Sequence, residues 1–148
     1  TDVQLRIKEK GAPRLVTLIM RNAMVRIAGI IAGQKKDLAI ITGEALSQVA
    51  SQTPESIRYT GSATDLPVFR PLIGMDKEEI IRTAEKIGTY ETSILPYDDC
   101  CTLFAPEHPV THPDFERMKA EFNALELENL LKTAVEGAEK LYISGVHL

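Results

Sequence analysis

The sequence predicts an α/β fold of three layers built on a parallel sheet, and three observations carry that expectation. Asp37-Leu-Ala-Ile-Ile-Thr42 is a short apolar run rich in isoleucine, as suits a strand buried on both faces of a parallel sheet. Gly43 breaks the run, and a helix-like pattern follows with Leu46, Val49 and Ala50 on one face. Strand-like runs and helical stretches then alternate along the chain, which places helices on the faces of a sheet. The strand at 38–42 is expected to be central and parallel in an incomplete doubly wound sheet.

Taken in order, residues 1–10 read as a short helix with Thr1 or Asp2 as cap and Gly11 as stop. Leu5 and Ile7 are its apolar anchors, so it should pack weakly. Pro13 suits the first position of a second helix, which runs to Gly33. Val16, Met20, Ala23, Ile27, Ile30 and Ile31 form one stripe on it, widened by Leu15, Ile19 and Val25, so most of its surface should be buried. Arg21 and Arg26 are its polar exceptions. Lys35-Lys-Asp37 turns the chain into the strand. The helix after Gly43 is expected to end near residues 54–56, with a polar loop at 57–65. Pro67–Leu72 carries two prolines and reads as a short edge strand. Asp76 caps a helix with Glu79 placed for a capping box. Ile80, Ile81, Ala84 and Ile87 form its expected core face, and Gly88 ends it. Residues 89–113 show little periodicity and hold four prolines and both cysteines, the profile of a functional loop. Residues 114–141 read as one broken helix or two, with Leu127, Leu130, Leu131, Ala134 and Val135 on the apolar face. The end, 142–148, suits a strand or a simple tail.

The 148 residues suit a single domain, 1–148, with 44% apolar and 26% charged residues. A net charge of −4 argues against a self-sufficient nucleic-acid binder, which shows a basic face. Two adjacent cysteines cannot build a disulfide framework, so the chain is expected in a reducing, cytoplasmic compartment. No apolar run approaches the ~20 residues of a membrane helix, and from the polar start no signal peptide is expected.

Several residues are placed for chemistry. Strand, glycine, helix is how an open α/β sheet presents a ligand at the carboxyl ends of its strands, and glycine lets that ligand approach the backbone. Gln48 and Gln52, four apart, would share a helix face. The alternative is an ordinary turn with solvated glutamines. Arg21 sits on a mostly apolar helix, where a charge needs a partner; otherwise its stem packs and its head reaches water. Cys100-Cys101 follows Asp98-Asp99 in a polar, proline-punctuated stretch rather than an apolar one. Carboxylates beside a thiol raise its pKa, and buried, inert cysteines are the competing reading. His108 and His112 with the cysteines do not match structural zinc spacing, and Pro109 and Pro113 break any helix aligning them. They read as solvated loop histidines, and no metal site is expected among these residues. Asp76-Lys-Glu-Glu79 is a solvated helix start.

Gly43-Glu-Ala-Leu-Ser-Gln-Val-Ala-Ser-Gln-Thr53 resembles a motif of the tRNA uracil sulfurtransferases, the ThiI-type tRNA 4-thiouridine synthetases. Arg21 in Ile19-Met-Arg-Asn-Ala-Met-Val-Arg26 matches an arginine upstream of that motif. Pro67-Val-Phe-Arg-Pro-Leu-Ile-Gly-Met-Asp-Lys77 is similar to the family's Pro-x-x-Arg-Pro-Leu-Ile-x-x-Asp-Lys segment, and Pro96-Tyr-Asp-Asp-Cys-Cys-Thr102 to its cysteine-bearing loop. The four segments stand in the family order over roughly residues 1–125.

The resemblance implies an adenine-nucleotide-hydrolase-like (PP-loop ATPase) domain, of which this chain would be the carboxyl-terminal portion. The family's ferredoxin-like region, its THUMP domain and its Ser-Gly-Gly-x-Asp-Ser pyrophosphate loop have no match here, and the chain has no Gly-Gly pair. A rhodanese-like extension, which supplies the persulfide cysteine in some members, likewise has no match in this sequence. The resemblance further implies ATP, with Mg²⁺, bound by Arg21, Gly43 and Gln52, the last two around the base. Cys101 would carry sulfur, with Cys100 secondary, the sulfur being delivered by a partner. Implied partners are tRNA, held mainly by the THUMP region, a cysteine desulfurase as persulfide donor, a sulfur-carrier protein and a second copy in a homodimer; no membrane is implied. The implied activity is ATP-dependent sulfur transfer to tRNA uridine, giving 4-thiouridine, with sulfur supply for the thiamine thiazole. The alternatives are a non-catalytic interaction or regulatory module on a nucleotide-binding fold, or a different tRNA-thiolating PP-loop enzyme.

Overall fold

A 20-residue helix, α2 (Val16–Lys35), organises the molecule in the computed structural model, which describes residues 1–46, 49–97 and 109–141. Leu18, Ile19, Met20 and Ala23 are buried along it, and α1 (Asp2–Lys10), α3 (Pro54–Gly61) and α7 (Glu128–Glu136) pack around it. A 3₁₀ turn at Pro13–Leu15 leads in. The helix runs past Gly33 and stops at Lys36, which takes the left-handed conformation at φ 61°. Against the sequence expectation, Pro13–Lys35 is long and apolar enough to cross a membrane by length and composition. Here it is the core helix: Leu18, Ile19, Met20 and Ala23 pack in the core, while Met24 is 55% exposed.

The helix α1 forms as its sequence suggests. Thr1 accepts from the Gln4 N–H and completes a capping box. Its anchors are Val3 and Ile7, four apart and buried, while Leu5 is 55% exposed on the other face. The anchors expected were therefore half wrong, because the i, i+4 pair decides which face packs. At the far end, α6 (Phe115–Ala124) is capped by Asp114, and α7 follows after Glu126 at φ 51°. The stretch is thus two helices. Met118, Phe122, Leu125, Leu127 and Leu131 join Ile7, Ile19 and Tyr59 in one continuous core. Each such side chain contributes about 1.5–3 kcal/mol on full burial.

The sheet is parallel as expected, with β1 (Ile40–Ile41) paired to β2 (Val68–Phe69), Ile40 opposite Val68. The Ile40 N–H donates to the Pro67 carbonyl at 2.9 Å and the Thr42 N–H to that of Phe69 at 3.0 Å. The fold class is accordingly α/β with a parallel sheet, in part. The expected central position of 38–42 is not met. Among the described residues each strand has one neighbour, and Leu38 (85%), Ile41 (72%) and Phe69 (58%) stand exposed. No described element covers those side chains.

The helix expected directly after Gly43 is also displaced. The chain stays non-helical through residues 43–45, makes a 3₁₀ turn at Ala50–Gln52, and enters α3 only at Pro54. Thr53 accepts from the Ser56 N–H, and proline at the first helical position completes a strong start signal. So α3 occupies much of the stretch expected to be a loop. Its buried residues are Ser56, Tyr59 and Thr60, which apolar periodicity does not register. The helix α4 (Lys77–Lys86) has the reciprocal Asp76–Glu79 box and stops before Gly88 at φ 72°, as expected. Its expected core face is met only in part: Ile80, Ile81 and Ala84 are half-buried, no residue of α4 is fully buried, and Ile87 is 67% exposed. The helix packs on the short α5 (Tyr90–Ser93).

Candidate functional site

Where β1 ends, the chain leaves the sheet beside α2 and opens a cleft of about 370 Å³. Ile40, Ile41, Thr42, Gly43 and Glu44 form one side. Arg21, Met24, Val25 and Ala28 of α2 form another, and Gln52 from the 3₁₀ turn closes it. The structure therefore brings together Arg21, Gly43 and Gln52. A Cβ on Gly43 would meet nothing within 4 Å. Packing does not demand glycine there, and its absent side chain leaves open space beside the cleft.

Arg21 does not float. Its Nη2 donates to Glu44 Oε1 at 2.5 Å, and its Nη1 to the Ser51 carbonyl at 2.9 Å and to Ser51 Oγ at 2.8 Å. The partner that burial demands is thus a carboxylate within the cleft wall. Glu44 is 6% exposed and is held on its other oxygen by Arg70 Nε at 2.6 Å. The hydroxyls of Thr42 and Thr60 also donate to it. Arg70 Nη1 donates to its neighbour Val68 carbonyl, and its Nη2 is buried with no hydrogen-bond partner among the described residues. A Cβ on Gly61 would stand 3.1 Å from that Nη2, tighter than an ordinary contact, so the guanidinium would have to give by a few tenths of an ångström. Gln52 Oε1 is likewise buried with no partner among the described residues, an acceptor at the cleft wall.

Glu44 and Arg70 were quoted within motifs but given no role by the sequence reading. A signal existed: a carboxylate immediately after a buried-type strand needs cations, and Arg70 lies between two prolines beside the partner strand.

Cys100, Cys101, Gln48 and His108 lie outside the described residues. The chain beyond them returns against the start of α3. Thr53 Oγ1 donates to the Thr111 carbonyl at 2.6 Å, and His112 Nδ1 meets Glu55 Oε1 at 3.0 Å. Residues 111–112 are therefore tied one to three positions from Gln52. His112 is exposed as expected but paired. Its ring beside Glu55 holds that carboxyl below its ordinary value. Burial pushes the Tyr59 phenol well above its own, and it stays neutral. Among the described residues no group of three or more His, Cys, Asp or Glu could hold a metal ion.

The family model described as thiamine biosynthesis protein (ThiI) matches residues 1–127. This chain belongs to the ThiI family. A probable tRNA sulfurtransferase of Acetivibrio thermocellus is 53% identical over 97% of this chain and 37% of its own length. One from Caldanaerobacter subterraneus is 62% identical over 80% of this chain and 31% of its own. The crystal structure of a 4-thiouridine synthetase in complex with RNA and with bound ATP matches with a TM-score of 0.81 and 39% identity, over 93% of this chain and 36% of that one. This ThiI chain thus spans about a third of the length of the curated relatives it matches. The solved neighbour extends the agreement from sequence to the course of the backbone.

Proposed function

We propose that this ThiI chain forms part of the ATP site and the sulfur-transfer region of a tRNA uracil sulfurtransferase. The cleft carries the reading. Three residues that the family resemblance assigns to ATP, drawn from a helix, a strand end and a 3₁₀ turn, line one cavity. The family relatives are named tRNA sulfurtransferases, and the solved neighbour is described with ATP and RNA.

In this reading Arg21 supplies positive charge toward the nucleotide. Gly43 keeps the backbone approachable, and Gln52 offers an unsatisfied acceptor. ATP, with Mg²⁺, would turn the uridine oxygen by adenylation into a group that leaves as AMP when the terminal sulfur of a persulfide attacks the ring carbon. A second thiol would then cleave the resulting S–S bond, freeing the thiouridine and ending as a disulfide. Cys101 carries the persulfide sulfur, with Cys100 secondary, and a cysteine desulfurase delivers it. The Thr53–Thr111 and Glu55–His112 contacts support this part, because they bring the chain following the cysteines back to the cleft wall. tRNA is held largely by parts of the family architecture outside this sequence, in line with the chain's net charge of −4. Sulfur supply to thiamine, a sulfur-carrier partner and a homodimer belong to the same reading through the family.

The test uses the full-length protein. Gln52→Ala and Arg21→Ala should weaken ATP binding in calorimetry while the domain stays folded. Cys101→Ser should abolish 4-thiouridine formation with ATP affinity intact, and Cys100→Ser should retain substantial activity. Unchanged ATP affinity in both cleft variants overturns the site. Full activity of the double cysteine variant overturns the sulfur role.

A further inference from the structure

We infer that Glu44 is a positioning residue for nucleotide binding: it fixes the Arg21 guanidinium, and through it the turn that bears Gln52, in the geometry the ligand meets. This rests on the reading that the cleft holds ATP.

Three observations carry the inference. The first is connectivity. Arg21 bridges Glu44 on one side and the carbonyl and hydroxyl of Ser51 on the other. Ser51 sits in the 3₁₀ turn of Ala50–Gln52, so the guanidinium joins the strand end to the wall carrying Gln52. If Glu44 lets go, Arg21 is held from one side only, and the turn loses its tie to the strand.

The second is charge. Arg21 and Arg70 face a single carboxylate, which leaves one net positive charge in the cluster. Arg21 and Glu44 line the cleft and Arg70 stands behind them. That arrangement presents a cation to the cavity while keeping it from swinging into water, and suits the anionic part of a nucleotide. An arginine already immobilised has fewer rotamers to lose when the ligand arrives, so the hold preorganises the site.

The third is that stability alone does not call for this arrangement. Burying two guanidiniums and a carboxylate carries a desolvation penalty, and well-packed apolar side chains of similar volume often serve a fold equally well. Here the charges stand in the wall of a cavity, with Gly61 left bare where Arg70 packs.

The experiment measures ATP affinity by calorimetry and stability by urea denaturation in the full-length protein, for Glu44→Gln, Arg21→Met, the double variant and Leu131→Ala. Leu131 is fully buried on α7 and lines no part of the cleft, so its truncation supplies stability loss without touching the site. Glu44→Gln should weaken ATP binding about tenfold, within the range of couplings in one ion-pair network. Leu131→Ala should leave affinity unchanged at comparable stability loss. The losses from Glu44→Gln and Arg21→Met should not add in the double variant. Should Glu44→Gln fail to fold, Glu44→Asp takes its place; it keeps the charge, shortens the reach, and should weaken ATP binding by less. Wild-type affinity in the Glu44 variants overturns the inference, as does a loss matched by Leu131→Ala or fully additive with Arg21→Met. If Arg21→Met and Gln52→Ala both bind ATP normally, the nucleotide reading of the cleft fails instead.

Discussion

The helical side of this ThiI chain closes its own core, and the sheet side does not. Around α2, the helices α1, α3, α6 and α7 bury Ile7, Ile19, Tyr59, Met118 and Leu131 against one another. Across the cleft, β1, β2 and α4 offer isoleucines and a phenylalanine of equal hydrophobicity, yet Ile41, Phe69 and Ile87 remain more than half exposed. The difference is one of partners rather than composition. A strand or helix has a core face only if something is laid on it. The cleft runs along this boundary: α2 gives it a rigid wall, and the strand end gives it a backbone that a ligand can approach.

The sharpest way to break that contrast is to truncate one isoleucine on each side. Ile19→Ala should lower the unfolding free energy by about 2–5 kcal/mol, since the side chain is fully enclosed and leaves a cavity. Ile87→Ala should stay within about 0.5 kcal/mol, as for other exposed sites. Urea midpoints for the two variants decide it. Equal losses would mean that the α4 face is covered in solution.

Helix caps sharpen the comparison at a smaller scale. Thr53 and Asp76 both accept a hydrogen bond from an N–H three residues on. Thr53→Ala should cost about 1 kcal/mol of global stability, because α3 belongs to the core. Asp76→Ala removes the same kind of bond from α4, which has no fully buried residue. Its effect should appear as faster amide exchange within 77–86, with little change in the global midpoint. A global loss from Asp76→Ala as large as that from Thr53→Ala would tie α4 to the core.

The same boundary separates what could be read in the sequence from what could not. Caps are local: Thr1, Asp76 and the break between α6 and α7 follow from side chains within a few positions of the backbone they serve. The long apolar stripe of α2 is readable because it repeats every turn. By contrast, α3 buries Ser56, Tyr59 and Thr60, and no apolar periodicity marks a face made of hydroxyls. The exposure of 38–42 depends on neighbours elsewhere in the chain, and an isoleucine run does not say which will be present. Glu44 meets Arg21 and Arg70 across separations of 23 and 26 residues, and only the folded chain shows which cations a buried carboxylate takes. The family motif leads us to expect Arg21, Gly43 and Gln52 near one another, and one cleft gathers them, whereas that motif carries no signature of the network that holds Arg21.

The smallest expected effect concerns the contact that ties residues 111–112 to α3. Glu55 is exposed, and the hydrogen bond from His112 is the main cause lowering its pKa from 4.5. A carboxyl whose folded-state pKa is depressed favours the folded state above its unfolded value, and that contribution disappears as pH falls through the folded value. The stability difference between the native chain and Glu55→Gln should therefore be present at neutral pH and shrink as pH drops below 4.5. His112→Ala should shrink it at neutral pH as well, because the same contact is removed from the other side. The pair is solvent-exposed, so added salt should weaken it. Urea midpoints at about pH 7 and about pH 3, with and without salt, measure all three. A difference that persists unchanged in acid would mean that Glu55 acts as an ordinary helix-start residue. The Thr53–Thr111 hydrogen bond and the packing of Val110 against the core would then hold that segment without help from Glu55.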